Sequence, residues 1–326
     1  MAIVELGWKL PTWVSDGSSG SELIRQADEH LRRLQGTFQS VWLADHFLPS
    51  ASWQTPAAPT IEALSATAYF AARHPSYRFG NMVLATSYRN PALVAKSIAT
   101  LQLLTGGRMI LGIGAGWMES EYRAYGYEFP SASTRIQQLE EAVRIVRLMW
   151  SQAPATFHGR HFHIDDAYCE PRPDPVPPIM IGGTGEQLTM RVVARYADWW
   201  NMPGSQPIET FRHKLDVLRR HCDQIGRDPA SLTISWECIC LAVAPTHQEA
   251  TRIAEASRFF PRATPEAAIV GTPAEIVEQF HRYADAGMNV PMIRFADYPR
   301  LDCAELFVEQ VAPHLGLREK GSVTSG

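Results

Sequence analysis

Short apolar runs of strand length alternate with amphipathic stretches of helix length almost from end to end of this chain. That rhythm predicts parallel strands joined by helical crossovers. The predicted strands are 3–9, 40–44, 78–85, 109–114, 178–182, 197–201, 232–243 and 291–295. The predicted helices are 21–34, 60–73, 91–104, 134–151, 187–196, 207–225 and 273–286, with a last one over 303–315. Eight strands with helices between them fit a closed barrel better than an open doubly wound sheet. The expected fold class is therefore α/β, a single (β/α)8 barrel.

Two stretches interrupt the rhythm. Within 155–177, the run Phe157-His-Gly-Arg-His-Phe-His-Ile164 reads as a β-hairpin inserted before the fifth strand, followed by a proline-rich connection. Residues 245–271 read as a helix and an extended segment before the last helix–strand pair. Neither has the composition of an interdomain linker, so residues 1–317 are expected to form one domain and 318–326 a disordered polar tail.

In such a barrel the active site collects where the strands end and the following loops begin. The unusual residues of this chain stand there. After the second strand come Asp45 and His46, a carboxylate and an imidazole able to orient a ring and move a proton near neutral pH; a capping Asp and a packed His would account for the same residues. After the third come Tyr88 and Arg89, then Asn90-Pro91, a standard helix start. The fourth runs into Gly112-Ile-Gly114-Ala115-Gly116-Trp117, whose small residues let a ligand approach the backbone closely. The third glycine of a dinucleotide fingerprint is missing there, and no acidic residue follows at the required spacing. The fifth ends in Gly182-Gly183-Thr184-Gly185 before a predicted helix, an arrangement suited to an anion or phosphate. The sixth delivers Trp199 and Trp200, whose rings are suited either to a ligand wall or to the core.

Together, Val41-Trp-Leu-Ala-Asp-His-Phe47, Ser87-Tyr-Arg-Asn-Pro91, Gly106-Gly-Arg-Met-Ile-Leu-Gly-Ile-Gly-Ala-Gly-Trp-Met-Glu-Ser-Glu-Tyr122, Pro178-Ile-Met-Ile-Gly-Gly-Thr-Gly185 and Val270-Gly-Thr-Pro273 resemble the luciferase-like monooxygenase superfamily, and within it the coenzyme F420-dependent oxidoreductases. The resemblance covers most of the chain in order. It implies a TIM barrel with the deazaflavin lying across the strand ends, beside Asp45 and His46. The ring would rest over a bulge at Met82–Val83, where the family commonly has a cis peptide. Ala85, Ala115 and Gly116 would flank the cofactor, and Gly182, Gly183, Thr184 and Gly185 would hold its phosphate. His46 is the expected catalytic group. The alternative cofactor on the same barrel is FMN, used with O2 by a monooxygenase. A deazaflavin carries hydride and not oxygen chemistry, so the cofactor decides the reaction class. The resemblance also implies a homodimer.

One departure matters. Relatives that oxidise a sugar phosphate carry a Glu directly after the Gly-x-Gly of strand four, where this chain has Trp117. Pro203, Gly204 and Gln206 replace the basic and hydroxyl residues those relatives use on the substrate phosphate. A sugar-phosphate substrate is therefore not expected. Trp8, Trp53, Trp117 and Trp200 are the expected walls of a pocket for an apolar or aromatic small molecule.

Composition narrows the partners. Thirty basic against thirty-four acidic residues give a net charge of −4, which offers no electrostatic case for nucleic acid or an anionic membrane. No apolar stretch reaches membrane-spanning length. The five cysteines, Cys169, Cys222, Cys238, Cys240 and Cys303, are odd in number and none is at zinc-ligand spacing, so buried free thiols in a reducing cytoplasm are expected. The cluster His158, His161, His163, Asp165 and Asp166 looks ligand-rich, but alternation along a hairpin scatters it over two faces. No metal site is expected.

Overall fold

The computed structural model describes residues 3–49 and 55–317. Eight parallel strands close on themselves: β1 (Gly7–Leu10), β2 (Ser40–Leu43), β3 (Arg78–Asn81), β4 (Met109–Gly114), β5 (Ile179–Gly182), β6 (Trp199–Met202), β7 (Thr233–Val243) and β8 (Val290–Phe295). Each pairs with its sequence neighbour, and β8 pairs with β1, Gly7 opposite Met292 and Trp8 opposite Ile293. The chain is thus a TIM barrel, as its apolar rhythm predicts.

The core has two compartments. Inside the barrel Trp42 of β2 meets Trp199 of β6 across the axis, ring centres 5.9 Å apart, among Ile110, Met180, Val290 and Met292. Small residues make room for the indole: a Cβ on Gly7 would stand 2.7 Å from Trp42 Nε1. Between the strands and the helices lies the larger apolar layer, in which Leu31, Phe70, Ile98, Val146, Phe211 and Phe280 come from six different helices. Alternation along each strand decides which compartment a side chain enters.

Several predicted boundaries shift. The third predicted strand is broken: β3 ends at Asn81, the Met82–Val83 peptide is cis, and Leu84–Ala85 resumes pairing with β4. The hairpin is present, with Ala155–His158 antiparallel to His163–Ala167. The segment before the last helix–strand pair is more regular than expected. After the helix His247–Ala256, a short strand Ile269–Gly271 pairs with the far end of β7, and Thr272 and Glu275 then cap the helix Pro273–Ala286 reciprocally. A six-residue helix, Glu119–Ala124, was not predicted; it is too short to show an apolar period, although two acidic residues in its first turn suit a helix start. The sequence places a helix from 187, directly behind the glycine loop. It begins instead at Thr189 with no side-chain cap, because a turn intervenes. Among the described residues, no helix is long and apolar enough to cross a membrane. All five cysteines are buried and free.

Candidate active site

A cavity of about 740 Å³ opens at the C-terminal ends of the strands, the size of a pocket for a cofactor-sized ligand. It collects residues from β1 to β7 and their following loops. Asp45, His46, Met82, Val83, Ala85, Ala115, Gly116, Trp117, Gly182, Gly183 and Thr184, all expected from the sequence, line it. Gly185 lies just behind, against Thr189, and is not part of the wall.

Asp45 and His46, adjacent in sequence, take separate partners. Asp45 is buried, and its carboxylate accepts a two-pronged ion pair from Arg89, 2.8 Å at each prong, and the Ala85 N–H at 2.9 Å. Arg89 also donates to Glu62 at 2.5 Å. Burial pushes the Glu62 carboxyl up, but hydrogen bonds from Ser65, the Leu64 N–H and Arg89 outweigh it and hold its pKa at about 2. Asp45 therefore fastens the broken third strand to the loop behind it. Arg89, expected on the cofactor face, instead lies beneath that face as the other half of the clamp.

His46 finds its partner in another loop. Its Nδ1 lies 3.0 Å from Oε2 of Glu121, which is almost wholly buried. The Tyr88 hydroxyl donates to the same oxygen at 3.0 Å, and the Phe47 and Leu48 N–H groups donate to the other at 2.8 Å each. Burial pushes the Glu121 carboxyl up, but the hydrogen bonds from His46, Leu48 and Tyr88 prevail and hold it below the usual carboxylate range. Burial first, and Glu121 second, push the Tyr88 phenol well up, so it remains a proton donor.

The floor of the cavity is apolar. Met82 and Val83 form it across their cis peptide, at the position where the family resemblance anticipates one. Two glycines make space for Val83: a Cβ on Gly114 would be 2.6 Å from Val83 Cγ2, and one on Gly182 2.9 Å from Cγ1. Such a floor, ending at one side in a loop of glycines and a threonine, fits a planar ring joined to a phosphate. The loop is less open than its sequence implies, since the Gly183 N–H donates to Asn201 O at 3.2 Å. Thr184 and Thr189 line the cavity there, and sequence reasoning missed Thr189.

Two of the four tryptophans expected in the pocket belong to the core. Trp8 neighbours the inward-facing Lys9 on β1, so alternation turns its ring outward, where it stacks on His30 at 5.3 Å. Trp200 stands next to the inward-facing Asn201 and is turned out in the same way; it packs on Phe211, and its Nε1 donates to Gly183 O at 2.9 Å. It therefore props the glycine loop from behind. Trp117 does line the cavity, 65% exposed at the mouth, with its ring edge-on to His46 at 5.6 Å and 81°. Trp53 lies outside the described residues. Trp13, not anticipated, lines the wall instead.

Also missed were Lys9 and Glu237, an ion pair from β1 and β7 that reaches the cavity from within the barrel, with both side chains under a tenth exposed. Gly204 donates its N–H to the same Glu237. The signal was legible: Gly7-Trp-Lys-Leu10 and Trp236-Glu-Cys-Ile-Cys240 each carry one charge in an otherwise uncharged strand. In a barrel such a residue points inward, toward a partner.

The comparisons with known proteins agree with this architecture. An F420-dependent glucose-6-phosphate dehydrogenase from Amycolatopsis mediterranei is 27% identical over 307 residues, covering 85% of this chain and 90% of that protein. An FMNH(2)-dependent dimethylsulfone monooxygenase from Pseudomonas fluorescens is 24% identical over 286 residues, covering 74% and 78%. The solved structure of an F420-dependent secondary alcohol dehydrogenase, in complex with an F420-acetone adduct, superposes with a TM-score of 0.79 at 21% identity, covering 97% of this chain and all of that one. The model of the luciferase-like monooxygenase family matches residues 4–267, and with most of its length matched this chain belongs to that family.

Proposed function

We propose that the protein is a coenzyme F420-dependent oxidoreductase acting on a small apolar or aromatic substrate, with His46 as the group that exchanges a proton with it. The observation that carries this reading is the placement of His46: its imidazole borders the cavity beside Trp117 while Nδ1 is held by Glu121. Met82, Val83, Ala85 and Ala115 would hold the ring, and Gly182, Gly183 and Thr184 the phosphate. When bound, the deazaflavin supplies the hydride acceptor or donor at the substrate's reacting carbon. The chain's own work is to orient the substrate, exclude water and move the proton at His46 Nε2.

The substrate class follows from the wall. Trp13, Trp117, Ile136 and Ile239 give it an apolar character. Its charges are largely engaged: Lys9 pairs with Glu237, Asp45 with Arg89 and Glu121 with His46, while Arg135, the further cation on the wall, lies over the Phe129 ring and donates to Pro130 O. A sugar phosphate would need cations facing the substrate, and Pro203, Gly204 and Gln206 supply none. The dehydrogenase relatives' substrate is accordingly not carried over to this chain. A cytoplasmic homodimer is the assembly that goes with this reading.

The cofactor is tested by titrating the protein with F420 and with FMN, each followed by fluorescence quenching. The tighter constant is expected for F420. Micromolar FMN binding without an F420 response would overturn the proposal in favour of an oxygen-using monooxygenase, the reading that the dimethylsulfone monooxygenase relative supports.

A further inference from the structure

We infer that Glu121 is the positioning residue of the site: it fixes the tautomer and the direction of His46, so that Nε2 is presented to the substrate. The inference rests on His46 as the proton-exchanging group and adds to it the residue that sets its state.

Four donors converge on one carboxylate. The Phe47 and Leu48 N–H groups hold Oε1, and Tyr88 and His46 meet at Oε2. The carboxyl is held below its usual range, so it is ionised at neutral pH and offers only lone pairs. An imidazole nitrogen 3.0 Å from such an oxygen must carry the proton. Nδ1–H is therefore fixed, and in the neutral ring Nε2 holds the lone pair, ready to take a proton and return it. The ring cannot turn over without losing this bond, and Trp117 stands edge-on to it at 5.6 Å. A purely structural role for Glu121, tying the loop after β2 through its two N–H groups, uses only Oε1. It gives no reason for a histidine at Oε2.

The two oxygens make the amide variant informative. In Glu121→Gln the Phe47 and Leu48 N–H groups still require an acceptor, so the amide oxygen takes the Oε1 position. The NH2 then faces His46 and inverts the polarity at Nδ1. The loop stays tied while the imidazole must switch to the Nε2–H tautomer.

The test is 15N NMR of histidine-labelled full-length protein, with the His46 signals assigned by their loss in His46→Asn, beside turnover and cofactor titration on the same samples. Wild-type protein should show His46 as the Nδ1–H tautomer and Glu121→Gln as Nε2–H. Turnover should fall roughly 10²-fold, the scale of losing a positioned acid or base, with cofactor affinity within about threefold, since His46 is not among the residues assigned to ring or phosphate. A folded Glu121→Gln protein that keeps Nδ1–H, or keeps its turnover, overturns the inference. Should the amide variant not fold, Glu121→Asp withdraws the carboxylate by one methylene. His46 should then show mixed tautomers, and a pure Nδ1–H signal with normal turnover is again fatal. The underlying reading fails separately: unchanged turnover in His46→Ala removes the proton carrier whatever the tautomer experiment shows.

Discussion

Arg89 grips Asp45 with two parallel hydrogen bonds of 2.8 Å, and this largely buried pair ties the resumed third strand, whose Ala85 N–H donates to Asp45, to the loop before the helix Pro91–Leu104. Bidentate geometry is the strong form of the carboxylate–guanidinium contact. Asp45 and His46 are adjacent in sequence yet serve different ends, one holding the scaffold and the other bordering the cavity.

The first prediction follows from that division. In Asp45→Asn, Arg89 loses its main charge partner in a site where little water reaches. Breaking one side of a buried pair costs about 3 kcal/mol or more. Urea denaturation should show an unfolding free energy lowered by that amount, read as a lower midpoint at an unchanged slope. A change under about 1 kcal/mol would mean that Glu62 alone satisfies Arg89.

Acid should weaken the same region. Glu62 is held at about 2 and Glu121 below its usual range, so in the folded state both bind protons less readily than in the unfolded chain. For depressed carboxyls the stabilisation is complete above the unfolded value and is lost as pH falls toward the folded one. The urea midpoint should decline from about pH 5 down to pH 2. Glu62→Gln should make that decline shallower; an identical slope in wild type and variant would show that Glu62 contributes nothing to it.

The glycine loop allows a cleaner test at Thr184 than at its glycines. Gly183 has a φ of +134°, and a Cβ there would be 3.0 Å from Thr189 Cγ2, so any side chain strains the loop before it meets a ligand. Thr184→Glu adds a negative charge at a position that already carries a side chain. Cofactor affinity should fall at least tenfold, about 1.4 kcal/mol, with the thermal midpoint unchanged. Unaltered affinity would mean that the cofactor's phosphate sits elsewhere.

Much of this was legible in the sequence, and what was not has a physical cause. The barrel follows from the spacing of apolar runs, and the chemistry-bearing loops from the rule that strand ends gather the site. The errors came from side-chain direction. Trp8 and Trp200 were expected in the pocket as large rings near strand ends, but each is one residue out of phase with the inward set marked by Lys9 and Asn201. Period-two alternation corrects both once one inward residue is known. The Glu121–His46 contact spans 75 positions and joins two loops, and no local pattern encodes such a contact.

Trp117 carries the last prediction. By the family resemblance it stands where sugar-phosphate-oxidising relatives are expected to have an acid; it is exposed at the mouth, and its ring edge meets His46. On the proposed function, a large apolar ring there would exclude a hydrated polar substrate and cover one flank of an apolar one. Trp117→Ala should therefore leave stability and F420 affinity almost unchanged, since the residue is 65% exposed at the mouth and its ring meets His46. The effect should fall on the substrate side, as a rise in KM for apolar substrates of roughly tenfold, on the scale of burying one large side chain's worth of contact less effectively. Trp117→Glu should do the same and also place a second carboxylate near His46. If either variant lost F420 affinity in step with activity, Trp117 would belong to the cofactor's bed and the substrate would have to enter from the Trp13 side of the cavity.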